Sequence, residues 1–313
     1  MAYKLLMSKS PGDGLRRCAD SQLQGARDGL VAVLENDDGV ARAEAIHSAR
    51  KSVKKTRALV RLARPAIGEK RYRKANASLR EAGGTLSGAR DADVMLDVIA
   101  DLRESGVGQL PAAAFDALQA AVAADGGGDA ATAAAGAGDA LPVAIERLDA
   151  AAARVGALDL SGMTWSTVLD SLTLSYARGH AELAAVAAAP TVEARHDWRK
   201  RAKDRWYQER LISGAWEPLL SAEADELHLL SEYLGDDHDL AVLRAAITSG
   251  SVEAPIDTDA VLDLIDDRRE ELLHDALLLG RRLYAERPKA FRRRMREYVR
   301  VWDTAQQDAL VEV

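Results

Sequence analysis

The sequence has little of what marks a secreted, membrane-spanning or disulfide-bonded protein. Its 313 residues include one cysteine, Cys18, which excludes an internal disulfide framework and any paired-cysteine zinc or redox site. No apolar run approaches the roughly 20 residues that a membrane-spanning helix needs. Residues 1–17 hold too short an apolar stretch for a signal-peptide core. We therefore expect a cytoplasmic protein that does not act at a membrane.

Aromatic residues make up only 4% of the chain, and runs that alternate β-branched or aromatic residues with polar ones are missing. Such alternation is typical of half-buried strands. Long runs rich in Ala, Leu, Glu and Arg take their place, and these residues favour helix. The sequence therefore predicts an all-α fold.

Breaks rich in glycine, proline or serine divide the chain into twelve predicted helices. The Gly- and Ala-rich residues 125–139 predict a flexible surface loop. The predicted helices are 14–35, 40–64, 69–87, 90–104, 111–124, 141–155, 163–188, 191–213, 217–234, 237–248, 257–285 and 288–308.

Two motifs occur twice in the same order, which indicates an internal duplication. Residues 47–55, HSARKSVKK, align with residues 196–204, HDWRKRAKD, and both read H-x-x-R-K-x-x-K. Downstream, residues 86–96 align with residues 234–244 at nearly the same separation. We therefore predict two helical halves, 1–156 and 157–313, each the size of one helical bundle.

The first motif predicts a cationic helix face. At about 100° per residue, its cations share one arc, and apolar residues occupy the opposite side. Residues 47–64 contain no Asp or Glu, although solvated helix faces usually mix signs to gain ion pairs. In a chain of net charge -7, cations that are gathered on one face and repel one another predict a polyanion as the ligand. The face consists of His47, Arg50, Lys51, Lys54, Arg57 and Arg61.

Three further helices carry similar faces. Arg205 lies outside them, and its spacing from Glu209 predicts a surface ion pair. The face of the second motif consists of His196, Arg199, Lys200, Lys203, Tyr207 and Arg210. The others are Lys289, Arg292, Arg293 and Arg296 near the C-terminus, which we expect to close the same groove, and a shorter set with Lys70, Arg73 and Lys74.

The doubled motif, with each copy followed by a turn that ends in Arg-Asp or His-Asp, resembles the CHAD family, the conserved histidine α-helical domain. The resemblance covers about residues 14–305. It implies two pseudo-symmetric helical bundles around a basic central groove or pore that binds inorganic polyphosphate, in some members at polyphosphate granules. Besides the two motif faces, it implies roles for Arg90, Tyr176 and Arg178.

The chain departs from that pattern at several positions, which predicts an asymmetric groove. Trp206 occupies the second-half position that corresponds to Arg57, and His238 occupies the position that corresponds to Arg90. Residues 216–234 are acidic where the corresponding first-half helix is basic, so we do not expect this helix to contribute cations.

The residue types favour polyphosphate over nucleic acid. Single-strand binders interleave aromatic stacking platforms among their cations, and the first face has none. Forked Arg donors and point-charge Lys donors suit a chain of phosphates without bases. An RNA- or DNA-binding protein that uses the same faces remains the alternative.

Metal binding and catalysis find little support. His47 and His196 have Arg and Lys three and four residues on, where a metal site in a helical bundle places ligands. Residues 236–239, DDHD, predict a helix stop at Gly235 and a new N-cap, and Asp91 and Asp239 are predicted to orient basic side chains. No P-loop, G-x-G-x-x-G or G-x-S-x-G motif occurs. We expect no cofactor, no metal and no enzymatic activity, with a metal-dependent phosphohydrolase as the third hypothesis.

Overall fold

The computed structural model describes residues 3–34, 38–86, 91–106, 110–252 and 258–311, without the side chains of 91–93, 124–140 and 306–311. The described part is helical and contains no strand of a β-sheet, so the all-α prediction is confirmed. Within it, no helix is long and apolar enough to cross a bilayer. The helices are α1 (Pro11–Ala32), α2 (Gly39–Leu62), α3 (Arg64–Ile67), α4 (Glu69–Gly84), α5 (Asp91–Ser105), α6 (Ala112–Gly156), α7 (Trp165–Ala188), α8 (Val192–Ile212), α9 (Glu217–Ser249), α10 (Thr258–Leu283) and α11 (Pro288–Val311), with a 3₁₀ turn at Ser213–Ala215.

Two predicted breaks are wrong. Residues 125–139, predicted as a surface loop, lie inside α6, where alanine, the best helix former, outweighs the glycines at 126–128, 136 and 138. Gly235 is also interior to a helix, because α9 continues through the predicted stop to Ser249. The helix tolerates this glycine at a cost of about 1 kcal/mol relative to alanine.

The helices pack around two hydrophobic clusters, and each cluster draws on both predicted halves. The larger joins α1, α2 and α4 to α7, α8 and α11, with Trp198 of α8 completely buried. The smaller joins α5 and the first part of α6 to α9 and α10. The boundary predicted between residues 156 and 157 therefore does not separate two cores.

The helices that carry the two motifs begin at capped N-termini and turn one face to the core. The Asp38 carboxylate accepts from the Val40 N–H at 2.9 Å to start α2, and the Thr191 hydroxyl accepts from the Ala194 N–H at 3.1 Å to start α8. Val53 is among the residues that α2 buries. Since the apolar residues occupy one side of each helix, the cations project from the other.

Candidate functional site: the crossing of α2 and α8

α2 and α8 are in contact, and cations from both motifs meet where they cross. Lys54 of α2 lies close enough to Lys203 of α8 for their charges to repel, and the charges of Lys55 and Arg210 repel in the same way. Burial, with repulsion from Arg210 and Lys51, lowers the pKa of Lys55. We call Lys54, Lys55, Lys203 and Arg210 the crossing site.

Lys203 is the most strongly perturbed cation of the crossing site. Burial, together with repulsion from Arg199 and Lys54, lowers its pKa to about 8. Asp239 and Glu232 act in the opposite direction and stabilise the ammonium form. Lys203 therefore loses its charge at a lower pH than an ordinary lysine does.

An ion pair joins the two helices beside the crossing site. Arg61 of α2 binds Asp204 of α8, and both side chains are largely buried, 13% and 16% exposed. The other oxygen of this carboxylate lies 3.3 Å from a guanidinium nitrogen of Arg201. Asp204 could not be predicted as part of the site, because an acidic residue within a basic motif gives no sign that it pairs with another helix.

Arg199 is accommodated by the absence of a side chain on α9. A Cβ atom at Gly235 would lie 2.9 Å from a guanidinium nitrogen of Arg199, closer than real Cβ contacts allow. The glycine that was predicted to end a helix thus leaves room for a cation of the neighbouring helix.

His196 of α8 and His238 of α9 stack on each other, with ring centroids 4.5 Å apart and an interplanar angle of 30°. The Nδ1 atoms of both rings are buried and have no hydrogen-bond partner within the described residues. Burial lowers the pKa of both imidazoles, and Arg199 and Lys200 reinforce the shift. The sequence counterpart of His238 in the first half, Arg90, lies outside the described residues.

Asp237 anchors the start of α8 to α9 and α10. Its carboxylate, 3% exposed, accepts hydrogen bonds from Arg195 at 2.5 Å and from Arg269 at 3.1 Å. This contact gives one residue of the DDHD segment a structural role that the sequence analysis did not predict.

Further carboxylates of α9 face the cations of α8, so the site has mixed charge. Burial and repulsion from Asp239 raise the pKa of Asp236 to about 6, and Arg199 opposes that shift. Asp239 lies close enough to Lys203 to stabilise its charge. That Asp239 also orients this side chain stays a prediction. Residues 217–234 of α9 contain no Lys or Arg.

The rest of the α2 face is held by neighbouring side chains and backbone. Arg57 donates to the Asn76 side-chain carbonyl at 3.0 Å, and Arg50 lies 3.5 Å from the carbonyl oxygen of Leu86. Burial and repulsion from Arg61 lower the pKa of Arg57. Of the other predicted residues of this face, His47 is half-buried and Lys51 is exposed.

Other predicted cations lie at the periphery. Lys200 pairs with Asp197 at 2.8 Å, and Arg73 on α4 pairs with Glu69 at 2.6 Å. Lys74 is exposed on the same helix. These side chains stay largely in contact with solvent, and such surface ion pairs contribute little to stability.

The two tyrosines that were predicted as ligands lie in the core. The prediction that they contact a polyanion directly is therefore wrong for both. Tyr176 is 1% exposed, stacks on Phe291 at 4.1 Å and donates its hydroxyl to the Glu286 carbonyl. Tyr207 is 5% exposed and stacks on Trp206 at 4.5 Å. Their rings stabilise the helices that carry the cations.

The basic face of α11 does not reach the crossing site. α11 packs along α7 through Phe291 and Tyr176, whereas α7 turns Ser171 and Arg178 toward α2. Different sides of α7 thus face α2 and α11. The face forms a separate basic surface, in which Arg292 pairs with Asp170 and the exposed cations are Lys289, Arg293 and Arg296.

The surface ion pair predicted between Arg205 and Glu209 is instead buried. Both side chains are 0% exposed, and the Arg205 guanidinium lies 2.6 Å from the Glu209 carboxylate. Arg205 also binds Glu223 of α9 and donates to the Leu283 carbonyl of α10 at 2.7 Å. The i,i+4 spacing predicted the pair, but only the packing of three helices placed it inside.

Within the described residues, no group of three or more His, Cys, Asp or Glu side chains has the geometry of a metal site. What the arrangement offers chemically is a set of cationic hydrogen-bond donors, which suits the binding of phosphate oxygens.

A comparison with protein families finds a match to the family model described as "CHAD domain" over residues 24–248. The match begins inside α1 and ends near the end of α9, so it contains both copies of the motif. A comparison with curated proteins finds no match.

Among solved structures, the chain is similar to PptA from Streptomyces chartreusis, with a TM-score of 0.63 and 16% sequence identity. The match covers 89% of this chain and 100% of that chain. At this identity the likeness concerns the fold, and it extends the similarity beyond the residues that the family model covers.

Proposed function

The chain belongs to the CHAD-domain family, and we propose that it binds inorganic polyphosphate at the crossing of α2 and α8 without changing it chemically. The observation that carries the proposal is the approach of Lys54 to Lys203, the last lysines of the two H-x-x-R-K-x-x-K motifs. Two cations that repel each other in the free protein gain most from an anion that bridges them.

The same contact supports the finer architecture that the duplicated motifs predict. If the two halves are related by a pseudo-twofold axis, corresponding residues on α2 and α8 should meet near that axis. Lys54 and Lys203 occupy corresponding positions, and they lie close to each other. We therefore include in the proposal that the groove is built from both halves.

Polyphosphate is favoured over nucleic acid by the side chains that flank the crossing site. The cations and stacked imidazoles offer donors to phosphate oxygens. Of the aromatic rings beside Lys55 and Arg210, Tyr3 and Tyr207 are buried. Trp206 stacks on Tyr207, and the Arg210 guanidinium lies over the Trp206 ring. A stacking platform for bases is thus not presented at this position.

The proposal includes binding in the cytoplasm at polyphosphate granules and excludes hydrolysis. A fluorescent fusion should therefore coincide with stained granules, and diffuse fluorescence in granule-containing cells would contradict this part. Release of orthophosphate upon incubation with Mg²⁺ or Mn²⁺ would support a metal-dependent phosphohydrolase instead.

A competition experiment tests polyphosphate against nucleic acid. Labelled polyphosphate is bound to the protein, and single-stranded RNA is added at equal phosphate concentration and constant salt, because both interactions depend on salt. We expect RNA to displace little of the label. Full displacement of the labelled polyphosphate would favour the hypothesis that the protein binds nucleic acid.

Charge reversal on α2 tests the location of the site. Arg50→Glu with Lys54→Glu should greatly weaken polyphosphate binding while the helical circular dichroism stays unchanged. Arg281→Glu with Arg282→Glu changes the net charge equally at two exposed positions of α10 and should have a much smaller effect. Equal losses for the two double variants would mean that the protein responds to net charge and not to this site.

A further inference from the structure

A cleft of about 370 Å³ lies at the C-terminal end of α2, between the start of α4 and α7. Arg61 and Arg64 line it on one side, and Arg178 and Ser171 of α7 line it on the other. Arg61 belongs both to the cationic face of α2 and to this cleft. A chain of phosphates that followed this face toward the end of α2 would therefore arrive at the cleft.

The cleft concentrates guanidinium groups, one of which has no counter-ion. Arg61 pairs with Asp204 and Arg64 with Glu69, but Arg178 has no ion-pair partner among the described residues. Arg61 and Arg178 also lie close enough to the neighbouring Arg201 for their charges to repel. An anion in the cleft would relieve this repulsion.

Neutral donors complete the lining. Ser171 is 5% exposed, and its Oγ is buried without a hydrogen-bond partner in the described part of the chain, which is costly unless a ligand or water supplies one. α4, a helix of 16 residues, begins beside it at Glu69, directly after Gly68, and no side chain caps it. Its first N–H groups lack partners within the helix, and the helix dipole favours an anion there.

We propose that this cleft binds a terminal phosphate group, the dianionic end of a phosphate chain or a phosphomonoester of the same chemistry. Guanidinium groups on two sides, the Ser171 hydroxyl and the open N-terminus of α4 suit the three free oxygens of a terminal group better than the two of an internal one. The identity of the ligand rests on the proposed function, whereas the cleft itself does not.

Glu69 stands at the mouth of the cleft and opposes an anion. Its carboxylate accepts hydrogen bonds from Arg64 at 2.7 Å and from Arg73 at 2.6 Å, and these bonds lower its pKa. A phosphate would compete with this carboxylate for Arg64. Glu69→Gln should therefore tighten binding, while the loss of a cleft donor should weaken it.

The test compares a short linear polyphosphate, the same chain with both terminal phosphates amidated, and orthophosphate. Each affinity is measured by calorimetry for the wild type, Arg178→Gln, Ser171→Ala and Glu69→Gln, with Arg281→Gln as an exposed control. One charge-assisted hydrogen bond corresponds to about tenfold or more in affinity. We expect the wild type and the control to prefer free ends by about that factor and the two donor variants to lose the preference.

Equal affinity of the wild type for free and amidated ends would overturn the assignment of the cleft to a terminal phosphate and leave polyphosphate binding intact. Failure of the wild type to bind either chain, with orthophosphate binding that Arg178→Gln abolishes, would refute the proposed function and assign the cleft to free phosphate. Circular dichroism identifies a misfolded variant. Should a donor variant fail to fold, the decision falls to Glu69→Gln, whose failure to tighten binding would count against the cleft.

Discussion

At the scale of single residues, the clearest link between packing and function is the contact of Gly235 with Arg199. The glycine costs helix stability in the middle of α9, and the space that it leaves holds a guanidinium group of the basic face. Gly235 resembles a helix break in the sequence, but the reason for a glycine at this position is the space that Arg199 of the neighbouring helix α8 requires.

Gly235→Ala should weaken polyphosphate binding and leave the fold at least as stable. The added methyl group displaces the guanidinium end of Arg199, which is flexible enough to move without disturbing the core. Alanine also favours a helix over glycine by about 1 kcal/mol. Thermal melts and binding isotherms measure the two effects separately.

Gly25→Ala provides the matched control, because a Cβ atom on this α1 residue would meet nothing within 4 Å. It should raise the melting temperature with no change in affinity. A Gly235→Ala protein that binds as tightly as the wild type would show that the position of Arg199 does not matter for binding.

Lys203 should make binding weaken as the pH rises above about 8. Burial and its cationic neighbours lower its pKa to about 8 in the free protein, and a bound polyanion would stabilise the ammonium form and raise that pKa. Affinity should therefore fall by up to about tenfold per pH unit between the free and bound pKa values. Lys55, whose pKa is also lowered, adds to the same trend.

Lys203→Arg should reduce this pH dependence, since a guanidinium stays charged throughout the range. Lys289→Arg, the same substitution at an exposed position of α11, should leave the pH profile unchanged. Affinities are to be measured between pH 7 and about 10 at constant ionic strength, which keeps screening constant. An unchanged profile for Lys203→Arg would contradict the assignment.

At the scale of helices, α8 serves two purposes with its opposite sides. One side carries the second motif, and the other inserts Trp198, Ala202 and Arg205 into the core. The guanidinium of Arg205 connects α8 to α9 and α10 and lies over the rings of Tyr176 and Tyr284. The basic face is therefore rigidly oriented by what lies behind it.

Arg205→Met should destabilise the protein by about 3–5 kcal/mol, because it leaves Glu209 buried without its partner. Urea denaturation measures the change in the free energy of unfolding. Arg205→Met combined with Glu209→Met should recover part of the loss, since no unpaired charge then remains between these positions. A double variant that is less stable than Arg205→Met alone would show that packing, and not charge, dominates there.

At the scale of the whole molecule, an acidic protein of net charge -7 binds a polyanion only if its cations are segregated. The fold brings the cations together where the two motif helices cross. The acidic segment 217–234 forms the first part of α9, which packs against α8. The nearby carboxylates limit the positive potential, and they make binding depend on local geometry as well as on total charge.

A double-mutant cycle tests whether the two halves form one site. Lys54→Gln and Lys203→Gln should each weaken polyphosphate binding, and the double variant should lose less than the sum, by about 0.5–3 kcal/mol. The physical reason is that removal of one lysine relieves the repulsion on the other. Lys54→Gln paired with Lys289→Gln should be additive to within about 0.5 kcal/mol, and coupling there would show that α11 shares the site.

Most helices could be predicted, because periodic apolar positions and turn residues are local signals. α2 and α8 begin and end within two residues of their predicted bounds, and the predicted apolar side of α2, with Val53, is buried. The errors at Gly235 and at 125–139 have one cause. Glycine signals a break unless a neighbouring helix, or a surrounding run of alanine, decides otherwise.

The sequence by itself determined the all-α fold, the family and the two cationic helices, because helix periodicity and motif spacing are properties of the chain alone. Only the tertiary structure decided which cations meet. It brought Lys54 to Lys203, placed Tyr176 and Arg205 in the core, and set the face of α11 apart. The reason is that the direction of a helix face is known from sequence only relative to its own axis, whereas the neighbour that it faces depends on how all the helices pack.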